Sequence, residues 1–307
     1  MSFTSEIKEY AKELGIHKIG ITNVTPLDED GKKLKEWLAR GYHGSMDWMN
    51  RNIEKRIDIK NILPDAVSVI SVALNYYTPH AHKSTTDTGK ISRYAWGDDY
   101  HDILTPKLYK LLEWIKNKFP TAEGKVYVDT GPVLEKIWAQ KAGIGWQGKH
   151  TNIISKEYGS WIFLGEIIIN IELEYDVPAL DHCGTCMLCI DACPTDAITE
   201  PYVLDAAKCI SYLTIEHKGA IDSSLAHQFD GWLYGCDICQ DVCPWNHKFS
   251  EPTNVVQFEP REKNIQPTLE EIENLTEDNF KKKYKGSAMK RTKLVGLQRN
   301  ANMLKKN

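Results

Sequence analysis

All eight cysteines of this chain lie between Cys183 and Cys243, and their spacing limits what that segment can fold around. The first run reads Cys183-x2-Cys186-x2-Cys189-x3-Cys193-Pro. Structural zinc sites usually draw two ligands from each of two separated pairs. Here three thiolates recur at every third residue, so one loop can wrap three corners of an iron–sulfur cubane. The fourth follows a longer gap and precedes a proline, which starts a helix and turns that thiolate toward a different centre. A partner run is present, Cys236-x2-Cys239-x3-Cys243-Pro. It lacks a leading cysteine, and Cys209 remains to supply one. The spacing therefore predicts two [4Fe-4S] clusters. One is held by Cys183, Cys186, Cys189 and Cys243, the other by Cys193, Cys209, Cys236 and Cys239. Each cluster crosslinks distant segments, so its loss is expected to unfold this region. Zinc is the competing reading.

The first 175 residues contain no cysteine, and this shift in composition is the clearest domain signal. We expect a domain over 1–175, a ferredoxin-like two-cluster domain over 176–250 beginning in the linker "YDVPALDH", and a basic helical segment over 251–307. With 307 residues and 42% hydrophobic content, the chain can bury a sizeable core. No apolar run follows a basic start at the N-terminus, and "WIFLGEIIINI" is interrupted by Glu166 and too short to span a bilayer. A cytoplasmic protein with no membrane partner is expected, in which cysteines serve metal or redox chemistry rather than disulfides.

In the first domain, "SEIKEYAKELG" reads as an amphipathic helix capped by Ser5 and stopped at Gly15, and "HKIGITNV" as a strand. "AVSVISVALNYY" is too continuously apolar for a surface strand and should be central. "TPKLYKLLEWIKNKF" reads as a second helix, and "KVYVDTG", "HTNIIS" and "SWIFLGEIIINI" as further strands. Helices between strands indicate an α/β layered domain. "HAHKSTTDTGK" reads as a flexible surface loop.

Clusters move electrons one at a time and leave the first domain unexplained. It has no dinucleotide fingerprint, no Walker loop, and no D-x-H-x-x-G pattern of the kind that lends a histidine to cobalamin. Three polar constellations remain. Asp129 in "VDTGPVLEK" stands at the C-terminal end of a strand, where α/β sheets place functional groups, although Asp also favours turns for local reasons. "SRYAWGDDYH" is dense in Arg, aromatic and His side chains, which ordinary packing could also explain. Lys149 and His150 follow the glycine-rich "GIGWQGKH".

The chain resembles epoxyqueuosine reductases over nearly its whole length. The resemblance is carried by "GYHGSMDWM", "NIEKR", "LPDAVSVISVALNYY", "RYAWGDDYHDIL", "VDTGPVLEK", "AGIGWQGKHT", both cysteine runs, "WLYGCDICQDVCPWN" and "GSAMKRTKLVGLQRNA". It implies reduction of epoxyqueuosine to queuosine at the wobble nucleoside of tRNAs with a G-U-N anticodon, using cobalamin and two [4Fe-4S] clusters fed by an external low-potential electron donor. It implies a nitroreductase-like α/β (α+β) cobalamin-binding domain, similar to that of reductive dehalogenases, with no protein ligand on cobalt. The family's active-site aspartate, a proton donor, falls on Asp129, whose pKa would have to be raised for that task. Cobalamin contacts map to Arg56, Ser92, Lys149, His150 and Asp237. Position 150 is commonly Asn in the family and is His here. Longer members continue into HEAT-like repeats, and a tRNA grip from such repeats is expected to be missing or truncated in this chain.

Residues 281–307 carry ten Lys and Arg and no Asp or Glu, on a chain of net charge −4. A basic end on an acidic body is either a polyanion-binding surface or a solvated helical tail. The resemblance favours the first, with Lys281, Lys282, Lys283, Lys285, Lys290, Arg291 and Lys293 as tRNA contacts. Two rival readings stand beside this one: a cobalamin and iron–sulfur reductase of small organohalides, and a noncatalytic electron carrier or RNA-binding protein. Nothing in the sequence demands more than a monomer.

Overall fold

The structure, a computed structural model, describes residues 2–262 and 264–305; Lys306 of the basic segment lies outside the described residues. The strands are β1 (Lys18–Asn23), β2 (Ser68–Asn75), β3 (Lys90–Ile91), β4 (Gly124–Tyr127), β5 (Trp146–Gln147), β6 (Ile153–Ile154), β7 (Ile162–Ile169), β8 (Ile198–Glu200), β9 (Val203–Leu204) and β10 (Trp232–Tyr234). The main sheet has the order β1-β2-β7-β4, with every neighbouring pair antiparallel. The expected central strand is β2, buried at all eight positions. Its continuous apolar run follows from its place: side chains alternate between two faces, and helices cover both.

On one face, Ile70, Val72 and Leu74 of β2 and Ile167 and Ile169 of β7 pack beneath α1 (Phe3–Glu13). The other face meets Trp138 and the segment around Ile59 and Leu63 through Val69 and Ile168. Helices α2 (Asp28–Ala39) and α3 (Ile53–Ile57) flank this second face. Helix α4 (Tyr100–Lys118) joins α1 on the first face, and α5 (Glu135–Lys141) lies against β2 and β7 on the second. Two local expectations shift. The cap of α1 is Ser2, whose Oγ accepts from the Ser5 amide, so Ser5 lies one turn inside. Helix α4 begins five residues before Thr105, because Asp99 accepts the His101 amide and caps it there.

The cysteine-bearing segment folds as two short helices, α6 (Leu188–Asp191) and α8 (Ile238–Asp241), which pack together. Between them come the ribbon β8–β9 and α7 (Ile210–Ile215), and α9 (Pro244–Phe249) follows. The basic segment is no frayed tail. Helices α10 (Leu269–Glu273), α11 (Glu277–Lys283) and α12 (Lys293–Leu304) bury Leu269, Ile272, Phe280, Tyr284, Leu294 and Leu297 against Ile91, Trp96, Leu233 and Tyr234. That core is possible because β3 pairs in parallel with β10. The polar stretch 80–90 is tied down as well: the Gln266 side chain bonds both backbone groups of Lys83 and the hydroxyls of Thr85 and Thr88. No described helix is long and apolar enough to cross a membrane.

Candidate active site

The fold brings the cysteines together: Cys189 lies near Cys183, Cys186 and Cys243, and Cys239 near Cys209, Cys193 and also Cys189. Cys183, Cys243 and Cys186 lie near enough to Cys189 to add to the effect of burial, and its thiol is pushed up to about 11. Cys236 and Cys239 are raised by burial first and then by neighbouring thiols, with Cys209 acting on both and Cys193 on Cys239. Buried thiolates at such density are tolerated only against a cationic metal centre, which would deprotonate them outright. Among the described residues, no three His, Cys, Asp or Glu side chains are set to hold a single metal ion. The three-residue spacing of the runs favours clusters over zinc. Trp146 and Trp245 pack edge to face at 4.7 Å over the first set, against Cys183 and Cys243.

A cleft of about 420 Å³ opens between the layered domain and the second set. Its walls include Tyr76, Ser92, Asp129, Lys136, His150 and Phe163 on one side, and Cys193, Cys209, Cys236 and Cys239 on the other. Asp129 follows β4 in a left-handed conformation, φ 58°. Its side chain keeps 63% of its surface because it projects into the cleft. Oδ2 stands 3.7 Å from His101 Nε2, an ion-pair contact rather than a hydrogen bond, while His101 Nδ1 lies 2.8 Å from Asp99 Oδ1. Burial works against a charged His101 ring, but the carboxylates of Asp129 and Asp99 outweigh it and raise its pKa to about 9. For Asp129 the cleft walls push the pKa up, yet His101, with Tyr100 and Lys136, pulls it below the ordinary aspartate range. This differs from the expectation of a raised Asp129: the pair favours a protonated His101 beside an ionised Asp129.

The other predicted contacts divide. His150 lines the cleft and is 3% exposed; its Nδ1 accepts the Asn152 amide, which leaves Nε2 as a buried N–H with no partner. Burial and Lys136 lower its pKa to about 4, so it is neutral. Ser92 also lines the cleft, and its Oγ lies 2.5 Å from Asp237 Oδ1, while Asp237 Oδ2 accepts the Arg93 amide. Asp237 is 1% exposed, so it fastens the cluster loop to the layered domain from beneath. Lys149 does not line the cleft: its Nζ donates to the carbonyls of Gly184 and Cys186 in the loop of the first set. Arg56 is buried outside the lining with Nε unpartnered. In the basic segment, Lys281, Lys283 and Arg291 pair with Glu277, Glu271 and Glu216. Lys282, Lys285, Lys290 and Lys293 are exposed and make no ion pair among the described residues.

Comparison with known proteins agrees with this geometry. The family described as "Epoxyqueuosine reductase QueG, DUF1730" matches residues 56–130, and "4Fe-4S double cluster binding domain" matches 182–246. An epoxyqueuosine reductase of Synechocystis sp. is 51% identical over 278 residues, covering 90% of this chain and 96% of that protein. The chain belongs to the epoxyqueuosine reductase family. Among solved structures, an epoxyqueuosine reductase with a tRNA-Tyr epoxyqueuosine-modified stem loop superposes with a TM-score of 0.91 at 36% identity, covering 98% of this chain and 80% of that one. The enzyme from Bacillus subtilis, with its catalytic aspartate loop swung out of the active site, gives a TM-score of 0.89 at 35% identity, covering 98% and 80%.

Against the family's double-cluster domain, the side chains that sequence reasoning passed over all lie around Asp129. His101 and Tyr100 were only part of a dense polar stretch, and the signal that would have found them is Asp99 as a helix cap. Glu135, six residues after Asp129, accepts the Asp129 amide at 2.5 Å. Glu166 appeared as an interruption of an apolar strand; it is fully buried in β7. A carboxylate in such a place needs a partner.

Proposed function

We propose that this chain reduces the epoxide of epoxyqueuosine in tRNA to the alkene of queuosine. The observation that carries this reading is the single cleft that joins the Asp129–His101 couple to the second cysteine set. Conversion of an epoxide to an alkene and water takes two electrons and two protons. Cys183, Cys186, Cys189 and Cys243 would hold one cluster off the cleft, and Cys193, Cys209, Cys236 and Cys239 another at its wall; Cys189 beside Cys239 would keep the two close, and such clusters would supply single electrons from an external low-potential donor. One proton is held on His101 and reaches the departing oxygen through Asp129, which orients the ring and accepts from it; the second comes from solvent water, so that the oxygen leaves as water. The cleft suits cobalamin as the remaining group: it borders the second cluster, and His150 Nε2–H is a buried donor aimed at a ligand not made of protein. His150 and Ser92 would hold cobalamin at the wall. Arg56 is a buried cation with an unused Nε on the same layered domain. When bound, cobalamin supplies a cobalt centre that accepts electrons singly and presents a low-potential pair to the substrate.

The divisions 1–175, 176–250 and 251–307 then correspond to substrate chemistry, electron supply and a tRNA-facing surface. One copy of the chain holds the entire site, which supports a monomer, and the assignment of all eight cysteines to clusters rather than disulfides supports a reducing, cytoplasmic setting. Turnover by anaerobically reconstituted protein, with cobalamin, a chemical reductant and epoxyqueuosine tRNA, is expected to remove one oxygen from the nucleoside by mass. Conversion that proceeds equally without cobalamin, or none at all with clusters intact, would overturn the reading.

For tRNA, the exposed Lys282, Lys285, Lys290 and Lys293 supply the phosphate contacts, and Arg291 lies 5.3 Å over the Trp48 ring with its charge already shared with Glu216. Changing these four lysines together to Ala is expected to reduce the slope of log affinity against log salt by about 3. The paired Lys281→Ala and Lys283→Ala changes should leave the slope nearly unaltered. An unchanged slope in the four-lysine variant would return the segment to a merely solvated face.

A further inference from the structure

We propose that Glu135 and Glu166 form a buried acid pair, sharing a proton, that clamps the backbone of Asp129 in its working conformation. The proposal rests on the reading of Asp129 above and deepens it: both glutamates are positioning residues.

Glu166 stands in the middle of β7 with no exposed surface, opposite Ser71 on β2 and Tyr127 on β4. Ser71 Oγ donates to its Oε1 at 3.2 Å, and Oε2 is buried with no conventional partner. The acidic group beside it is Glu135, the first residue of α5, which packs on β2 and β7. Two neighbouring carboxylates, Glu166 fully buried and Glu135 half-buried, resist ionising together. A proton between them converts one into a donor, and the orphaned Oε2 becomes half of a hydrogen bond. The other end of Glu135 has a task of its own, since Oε1 accepts the Asp129 amide at 2.5 Å. Asp129 holds φ at 58°, a region uncommon for residues with a side chain though one that Asp enters more readily than most, so a contact to its amide helps to hold it there. The Glu135 bond is that contact, and the proton shared with Glu166 keeps Glu135 pointed at it.

The groups around the pair set the sign. Glu135 is raised by burial first and then by the charge of Asp129, with His101 opposing; Lys136 and Tyr100 also feel its charge. Glu166 is raised by burial and then by Glu135, with Ser71 opposing. Acids raised in the folded state contribute stability that is full below the ordinary value of 4.5 and is lost as pH climbs through the raised value. The clamp is therefore closed while the shared proton is present and releases on its basic side, when two buried charges repel.

The test follows single-turnover rates and tRNA affinity across about pH 6 to 9, the range in which such limbs are read. Glu135→Ala is expected to slow conversion roughly 10- to 100-fold, as a misplaced catalytic group does, with tRNA affinity and iron content unchanged. Glu135→Gln keeps an acceptor oxygen for the Asp129 amide and should recover most of that loss, which separates the clamp from a folding defect. Glu166→Gln replaces the labile proton with a permanent amide donor, so the basic limb should move to higher pH or vanish. A wild-type rate in Glu135→Ala, or a Glu166→Gln profile that superimposes on wild type, overturns the proposal. Asp129→Asn, run in parallel, reports separately on the catalytic reading: if that variant turns over normally, the role of Asp129 fails whatever the glutamate variants do.

Discussion

Asp129→Asn leaves both clusters and tRNA binding in place and lowers single-turnover conversion by about 100- to 10,000-fold, the range of a lost acid–base group. The substitution is nearly isosteric, and the bond from the residue's amide to Glu135 is a backbone bond, so the loop keeps its anchor. What disappears is the charge opposite His101 Nε2. That charge, together with Asp99, holds the His101 pKa at about 9 against burial. Without it the imidazolium loses part of its support, and the ring titrates closer to its ordinary 6.5. A raised histidine contributes stability that is complete below the ordinary value and disappears as pH rises through the raised one. The variant should therefore also be less stable than wild type, with the deficit full below about pH 6.5 and shrinking as pH rises toward 9, measurable by denaturant titration at several pH values. Both effects have one cause, so a variant with near-normal turnover and an unshifted His101 titration would remove the couple from the mechanism.

The sequence disclosed the parts of this protein that depend on local spacing. Three-residue intervals between thiols describe a loop around a cubane, and they pointed to a double-cluster segment, in agreement with the family match over 182–246. An unbroken apolar run of β-branched residues identified β2 as central, because only a strand covered on both faces can be so uniform. The antiparallel order β1-β2-β7-β4 depends on pairing between segments far apart in the chain, which no local pattern encodes. The same limit hid the surroundings of Asp129. His101 acts because Asp99 caps a helix there and because that helix end meets the β4 loop. Glu166 acts because β7 lies beneath α5. In the basic segment, composition revealed the charge but not that Glu216, Glu271, Glu273 and Glu277 neutralise part of it. Lys149 was grouped with His150 by adjacency, yet successive side chains diverge: one enters the cleft lining and the other reaches the carbonyls of the first cluster loop.

Cys209→Ser should abolish turnover and reduce the metal content from about eight iron per chain to about four, since each cubane carries four. Cys209 is the second-set ligand that comes from outside both cysteine runs. It is placed by Asp205, which caps the turn Ala206–Lys208, and it serves as the N-cap of α7. Burial is the main effect raising its thiol, so the site favours a neutral sulfur until iron supplies the compensating charge. A serine hydroxyl is a harder and less acidic ligand and cannot replace a thiolate on iron. On the proposed assignment the first set draws on Cys243, beyond Cys239, and does not use Cys209, so its cluster should persist and keep α6 and α8 together. Electrons would then reach the first cluster and stop one step short of the cleft. Anaerobic iron and sulfide determination, with the spectrum of the reduced protein, distinguishes the outcomes. Four iron with one remaining cluster signal and no turnover fits a wire cut next to the cleft. Eight iron in the variant would release Cys209 from the second set, and zinc without sulfide in the wild type would replace the clusters altogether.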